Sequence, residues 1–292
     1  MTLPDLTYLR PGGLAEACAL GERLGGTAAF IAGGTELIPD LRLERETARH
    51  LIALDGVAEL HGISVEDGEL RIGALVTIGD VARSQDVRAR LEALADAARA
   101  IGSAQIRSLA TIGGNFCRAV ACADTPPAAI AGEARLRIAG PRGVREVNAG
   151  EFFLGPRRTV LQAGEVLVQI VVPEQPLRSG SSYQRFSRRS GAALAVAAVA
   201  ARVTFEGPRI AGVRVVLGAV APIPLLSIRA AAILMGQVPS AAIFAEAATV
   251  AAEDALPISD VRGSAEFRRT LVCVLARRAL EQAAARAAGV RL

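Results

Sequence analysis

Short apolar runs and helical periodicity alternate through the first two thirds of the chain. Leu14 to Leu24 carries apolar residues at Leu14, Ala17, Cys18 and Leu24, a helical spacing, between Pro11-Gly12-Gly13 and the stop signal Gly25-Gly26. Ala28 to Ile31 reads as a buried strand, and Leu51 to Leu54 as another, ended by Asp55-Gly56. Between them Glu36 to Leu43 begins helically, with Pro39 tolerated only in a first turn. Gly62 to Val65 and Glu69 to Ile72 flank Asp67-Gly68, which predicts a hairpin. Ile78 to Ser84 and Leu91 to Ile101 read as helices, and Asp124-Thr125-Pro126-Pro127 interrupts the stretch from Cys117 to Ala131. Strands are predicted at Ala134 to Ile138 and at Val166 to Val172, the latter closed by Pro173.

Past Pro173 the texture changes. Gln175 to Ser182 reads as a polar turn region and linker. Ala193 to Phe205 and Ile210 to Ala219 are β-rich and apolar, and alanine-rich helices follow. The last, Ala265 to Ala288, is expected to present Phe267, Leu271, Val274 and Leu275 on one face and arginines on the other. The resulting boundaries are 1–56, 57–173 and 180–292.

Composition narrows the function classes. A chain of 292 residues with 51% hydrophobic and 21% charged residues folds into two or three compact units. The best candidate for a membrane span, Ala192 to Ala201, lies between Arg189 and Arg202 and is too short to span a bilayer. Met1 to Asp5 lacks the basic start and apolar core of a signal peptide, so a cytoplasmic location is expected. The net charge of +4 is carried by dispersed arginines with no lysine at all, and aromatic residues make up 3%, which speaks against nucleic-acid binding. Without lysine there is neither a Walker phosphate loop nor Schiff-base catalysis. Cys18, Cys117, Cys122 and Cys273 form no ligand set, and His50 and His61 pair with no nucleophile. No metal site and no catalytic residue is therefore assigned to this chain.

Two glycine loops carry the chemistry: Ala32-Gly33-Gly34-Thr35 after the Ala28–Ile31 run, and Thr111-Ile112-Gly113-Gly114-Asn115. Paired glycines let backbone approach a ligand without a Cβ and permit φ > 0, so that successive N–H groups converge on an anion. Strand, glycine loop and helix start aim a positive dipole end at phosphate. Two such loops together suggest one cradle for a diphosphate.

These residues, in this order, resemble the FAD-binding (medium) subunits of the molybdenum hydroxylase family, the group of xanthine, carbon monoxide and aromatic-heterocycle dehydrogenases. The resemblance also runs through Ile72 to Thr77, Ile101 to Arg107, Ala123-Asp124, Glu151-Phe152-Phe153, Glu165 to Pro173, Tyr183 to Gly191 and Asp260 to Arg269. It implies an α+β fold: two α/β subdomains of the PCMH type that hold FAD, and a C-terminal domain of three antiparallel strands with helices. It implies that Phe30, Ile31, Ala32, Gly33, Gly34, Thr35, Glu36 and Leu37 wrap the diphosphate together with Thr111, Ile112, Gly113, Gly114 and Asn115. Asp124 is expected at the ribityl or adenosine portion, Ile101 and Leu167 beside the flavin, and Arg185 where relatives commonly carry lysine. Ser108 stands where asparagine is common, and Ala192 where an acidic residue is common.

The function so implied is electron transfer. A molybdenum large subunit hydroxylates substrate, [2Fe-2S] clusters on a small subunit relay electrons, and FAD here releases them to NAD, a quinone or oxygen. The assembly expected is a dimer of heterotrimers. The rival is a free-standing flavin-dependent oxidase, which needs a covalent flavin attachment point or a substrate cap domain, neither evident in the sequence. A non-enzymatic scaffold with vestigial loops is the third reading, against which the intact glycines of both loops speak.

Overall fold

The computed structural model describes residues 3–189, 191 and 193–290. Its first unit is a parallel three-stranded sheet in the order Thr7–Leu9, His50–Ala53, Ala28–Ile31. Helix Leu14–Leu24 buries Ala17, Cys18 and Leu20 against Ile52 and Leu54, and Gly25 ends it with φ 50°. Helix Leu37–Arg42 follows the first glycine loop and is only six residues long. Pro39 sits in its first turn, where an N–H would have no intrahelical acceptor.

The second unit is a five-stranded antiparallel sheet in the order Ile63–Glu66, Glu69–Gly73, Val166–Val172, Arg135–Gly140, Gly143–Asn148. Asp67 and Gly68 both take positive φ, the geometry that matches a two-residue hairpin to strand twist. Val166–Val172 lies at the centre of the sheet, and six of its seven residues are buried, which accounts for its unbroken apolar run. Helices Ile78–Arg83, Glu92–Ala100, Ile112–Cys117 and Thr125–Ala131 bring Ile78, Leu94, Phe116 and Ile130 onto Leu70, Ile72, Leu136 and Ile170. Phe116, Phe152 and Phe153 close this core with edge and tilted ring contacts at 5.2–6.4 Å.

Three long antiparallel strands, Ser179–Phe186, Ala197–Glu206 and Arg209–Gly218, build the third unit, and the two-residue strand Leu225–Leu226 extends its edge. Helix Ala265–Ala287 covers the sheet, and helix Ala241–Asp254 packs on that helix and on Ile228–Leu234. The alanines of Ala265–Ala287 serve close approach: a Cβ on Gly180 would fall 2.8 Å from the carbonyl carbon of Arg286, and closer still to Ala287 N and Ala283 O.

Two expectations are corrected here. The strand Ser179–Phe186 begins inside the segment read as a linker, and Gly180, Ser181 and Ser182 are buried. Their hydroxyls misled the reading, yet each is paired: Ser181 Oγ donates to Glu92 and Ser182 Oγ to Gln282. The last helix buries only half of the face expected of it: Leu275 is buried and Leu271 packs partly against the core. Arg268, Val272, Leu275, Ala276, Ala279 and Leu280 are buried, while Phe267 and Val274 are exposed. Buried Arg268 made the periodicity misleading; it donates to Val196 O at 2.9 Å and to Asp260 at 2.7 Å. Among the described residues no helix is long and apolar enough to cross a membrane.

Candidate cofactor site

The two glycine loops meet. A cleft of about 330 Å³ is lined by Phe30, Ala32, Gly33, Gly34, Thr35, Glu36 and Leu37 from one side and by Thr111, Gly114 and Asn115 from the other. Ile101 and Ile106 form an apolar wall, and Cys117, Arg118 and Val120 complete the rim beyond the second loop. Contact between the loops requires glycine at one position above all. A Cβ on Gly33 would lie 2.6 Å from the carbonyl carbon of Leu109 and closer to its oxygen, so only hydrogen fits between the two backbones.

The loops present their backbones differently. In the first, Gly34 adopts φ 67°. Among the described residues, the amides of Gly33, Gly34, Thr35 and Glu36 donate to no protein group, which leaves four N–H groups in a row for a ligand. In the second, expected to be a matching nest, neither glycine has positive φ: the segment is the start of helix Ile112–Cys117, with Thr111 as its N-cap. Its amides are already used, Ile112 on Val76 O at 3.0 Å, Gly113 on Ala74 O at 2.8 Å, Gly114 on Thr111 Oγ1 at 3.1 Å and Asn115 on Thr111 O at 3.0 Å. Gly113 is there for packing, since its Cβ would meet that of Ala74 at 2.6 Å. The amides of the second loop are thus spent on the fold, and those of the first are left open toward a ligand.

Of the other expected residues, Ile31, Ile112, Gly113, Leu167, Asp124 and Arg185 stand outside the cleft lining. Leu167 is buried in the central sheet. Asp124 is buried and already paired: Tyr183 donates its hydroxyl at 2.5 Å and Arg185 its Nη1 at 2.9 Å. Arg185 also donates to Ala193 O, tying the end of strand Ser179–Phe186 to the loop that follows. Burial raises the Asp124 carboxyl above its usual range, with Arg185 and Tyr183 pulling the other way. Tyr183 is raised well above an ordinary phenol by burial and by the facing carboxylate.

Residues 4–175 match the family described as FAD binding domain in molybdopterin dehydrogenase. The chain belongs to that family. Residues 181–283 match the CO dehydrogenase flavoprotein C-terminal domain. Among curated relatives, the carbon monoxide dehydrogenase medium chain of Hydrogenophaga pseudoflava is 35% identical over 292 residues, covering 99% of this chain and 100% of its own. The xanthine dehydrogenase FAD-binding subunit of Escherichia coli O157:H7 is 31% identical over 264 residues, 90% of each chain. The solved carbon monoxide dehydrogenase from H. pseudoflava superimposes with a TM-score of 0.94 at 35% identity, covering 98% of this chain and 99% of that one. Quinoline 2-oxidoreductase from Pseudomonas putida 86 gives 0.92 at 32% identity, with 98% and 99% covered. The relatives are subunits of oxidoreductases, and the chain is an FAD-binding medium subunit of the molybdenum hydroxylase type.

Within this medium subunit the cleft holds a cation that the sequence reading passed over. Arg118 follows the second loop, donates from Nη2 to the buried Asp40 on helix Leu37–Arg42, and holds Nε 3.4 Å from Glu36. That Nε is buried without a hydrogen-bond partner. Arg157 reaches the same Asp40 oxygen at 3.5 Å. No local signal marked Arg118; it matters because Asp40, 78 residues earlier, is folded against it. Cys117 is exposed at the rim of the cleft. Burial raises the Cys122 thiol, with nearby Arg262 opposing the rise. Ser108 is exposed and donates to Gln105 O at 2.8 Å, whereas Ala192 lies outside the described residues.

Proposed function

We propose that this medium subunit carries FAD in the two-loop cleft and passes electrons from [2Fe-2S] clusters of a partner subunit to an external acceptor. The run of four unpaired amides from Gly33 to Glu36, facing a cleft walled by the second loop, carries this reading. Those donors suit the diphosphate of a dinucleotide, and Arg118, whose buried Nε has Glu36 at 3.4 Å but no hydrogen bond, is the cation beside it. Ile101 and Ile106 keep water from the apolar part of the cleft. Thr111 and Asn115 hold the wall: Thr111 caps its helix, and Asn115 Oδ1 accepts from Thr125 Oγ1 at 2.6 Å. Asp124, with Arg185 and Tyr183, braces the second unit against the third, and its remaining lone pairs are available to a ribityl or adenosine hydroxyl. Leu167 supports the flavin side from within the central sheet. When bound, FAD supplies the ability to accept and release electrons singly or in pairs.

The family likeness supports an assembly with an iron–sulfur small subunit and a molybdenum large subunit, as a dimer of heterotrimers in the cytoplasm. The three folding units then correspond to 1–56, 57–173 and 180–292. Acid denaturation of the purified chain, with mass analysis of the released chromophore, is the test. One FAD per chain is the expected result; well-folded protein that takes up no FAD when supplied with it sinks the proposal.

A further inference from the structure

Helix Ala104–Leu109, whose Ile106 lines the cofactor cleft, also borders a second cavity of about 330 Å³. Arg83, Arg88, Arg99 and Arg107 all line it, together with Ser84 and Gln85. Four arginines lining so small a space repel one another, and salt screens that repulsion only in part where charges lie within about a Debye length, ~10 Å.

The carboxylates nearby do not balance them. Asp80 pairs with Arg83 at 2.8 Å and also accepts from the Thr77 hydroxyl at 2.6 Å. Asp96 stands 4.0 Å from Arg88, but its other oxygen is held by Arg286 at 2.7 Å. Arg88 Nη2 is consequently buried with no hydrogen-bond partner. Arg107 has only backbone carbonyls, Ile101 O at 2.8 Å and Gly102 O at 3.3 Å. Arg99 makes no hydrogen bond or ion pair among the described residues. Among the described residues Arg99 and Arg107 therefore have no carboxylate partner, and Arg88 has only the shared Asp96 at 4.0 Å.

We propose that this four-arginine cavity is an anion site for a diphosphate group, separate from the cofactor cleft. The excess charge matches a multiply charged oxyanion better than a single carboxylate, and planar guanidinium forks suit phosphate oxygens bidentately. The cavity is roomy enough for the diphosphate of a small molecule or a nucleotide. Its position also has a consequence for the cofactor site. Ile106 lines the cofactor cleft while the next residue, Arg107, lines this cavity and holds the Ile101–Gly102 turn, so an anion bound here rests against the back of the cofactor wall.

The experiment is isothermal titration of the FAD-supplied full chain with inorganic pyrophosphate. Saturable binding of one pyrophosphate per chain is expected, weakening with salt. Arg99→Gln removes an exposed guanidinium that holds nothing else, so the fold is retained. It is expected to weaken binding at least about tenfold, the loss implied by one charge-assisted hydrogen bond. Arg88→Gln is expected to do the same, and Arg99→Lys to lose less than Arg99→Gln. Arg88→Gln and Arg99→Gln are expected to leave the FAD content of the chain unchanged, which separates the two sites. Absence of saturable binding, or binding indifferent to both Arg88→Gln and Arg99→Gln, overturns the proposal. So does a site present in the isolated chain but closed in the assembled complex, which would assign the arginines to an acidic side chain of a partner.

Discussion

Gly33→Ala is the sharpest perturbation of the cofactor cleft, because the added methyl meets backbone. It would sit 2.6 Å from the Leu109 carbonyl carbon and 3.2 Å from Ala110 N, with the Leu109 oxygen nearer still. No rotamer change relieves that contact, so the first loop must move away from the segment leading into the second. Overpacking of this kind costs about 1–3 kcal/mol, and a backbone neighbour puts it at the upper end. If that movement is paid in the cleft, FAD affinity falls by roughly 100-fold, since about 1.4 kcal/mol is tenfold. Gly34→Ala is the internal comparison. Its methyl would meet only side chains, Ile38 Cγ1 at 3.2 Å and Ile31 Cδ1 at 3.5 Å, but Gly34 holds φ 67°. A left-handed alanine costs about 1–2 kcal/mol, so a loss nearer tenfold is expected. Fluorescence titration of the apoprotein with FAD reads both, with circular dichroism and a urea midpoint to show that each variant is folded. A folded Gly33→Ala protein with undiminished FAD affinity, or one less affected than Gly34→Ala, would refute the assignment of this loop contact to the cofactor site.

Two further outcomes bear on what holds the site in place. Asp124→Asn leaves the nearly buried Arg185 with Ala193 O and no carboxylate, so a loss of about 3–5 kcal/mol is expected from urea denaturation. Arg185→Met should cost less, because burial already favours protonation of Asp124 and Tyr183 remains as its partner; equal urea midpoints for Asp124→Asn and the unaltered protein would remove the brace from the account. Arg262 and Arg268 hold the Asp260 carboxyl well below its ordinary range, so the folded state binds its proton more weakly than the unfolded chain does. The stabilisation is complete above the unfolded value of about 3.9 and is lost as pH falls below it, and Glu69 beside Arg135 and Glu165 beside Arg145 act in the same sense. Urea midpoints should therefore drop as pH falls below about 4, with a shallower drop in Asp260→Asn; an identical slope in that variant would show that Asp260 contributes nothing.

The strands and most helices were legible because local rules and burial agree there. Ala28–Ile31, Val166–Val172 and helix Leu14–Leu24 have the bounds read from pattern alone, since apolar runs and glycine stops act over a few residues. Family membership was legible for a related reason: ordered motifs along one chain survive without any knowledge of contacts. What pattern could not supply was the use made of each polar group. Thr111-Ile112-Gly113-Gly114 looks like a second anion nest, yet its amides are taken by Ala74, Val76 and Thr111, because the Gly73–Thr77 segment folds against it. Ser181, Ser182 and Arg268 look solvated by type and are buried, since Glu92, Gln282 and Asp260 come from elsewhere in the chain to satisfy them. Arg118 and the four-arginine cavity are absent from any local motif for the same physical reason. Hydrophobic periodicity is written into neighbouring residues, but the partner that satisfies or fails to satisfy a buried polar group is chosen only when distant segments meet.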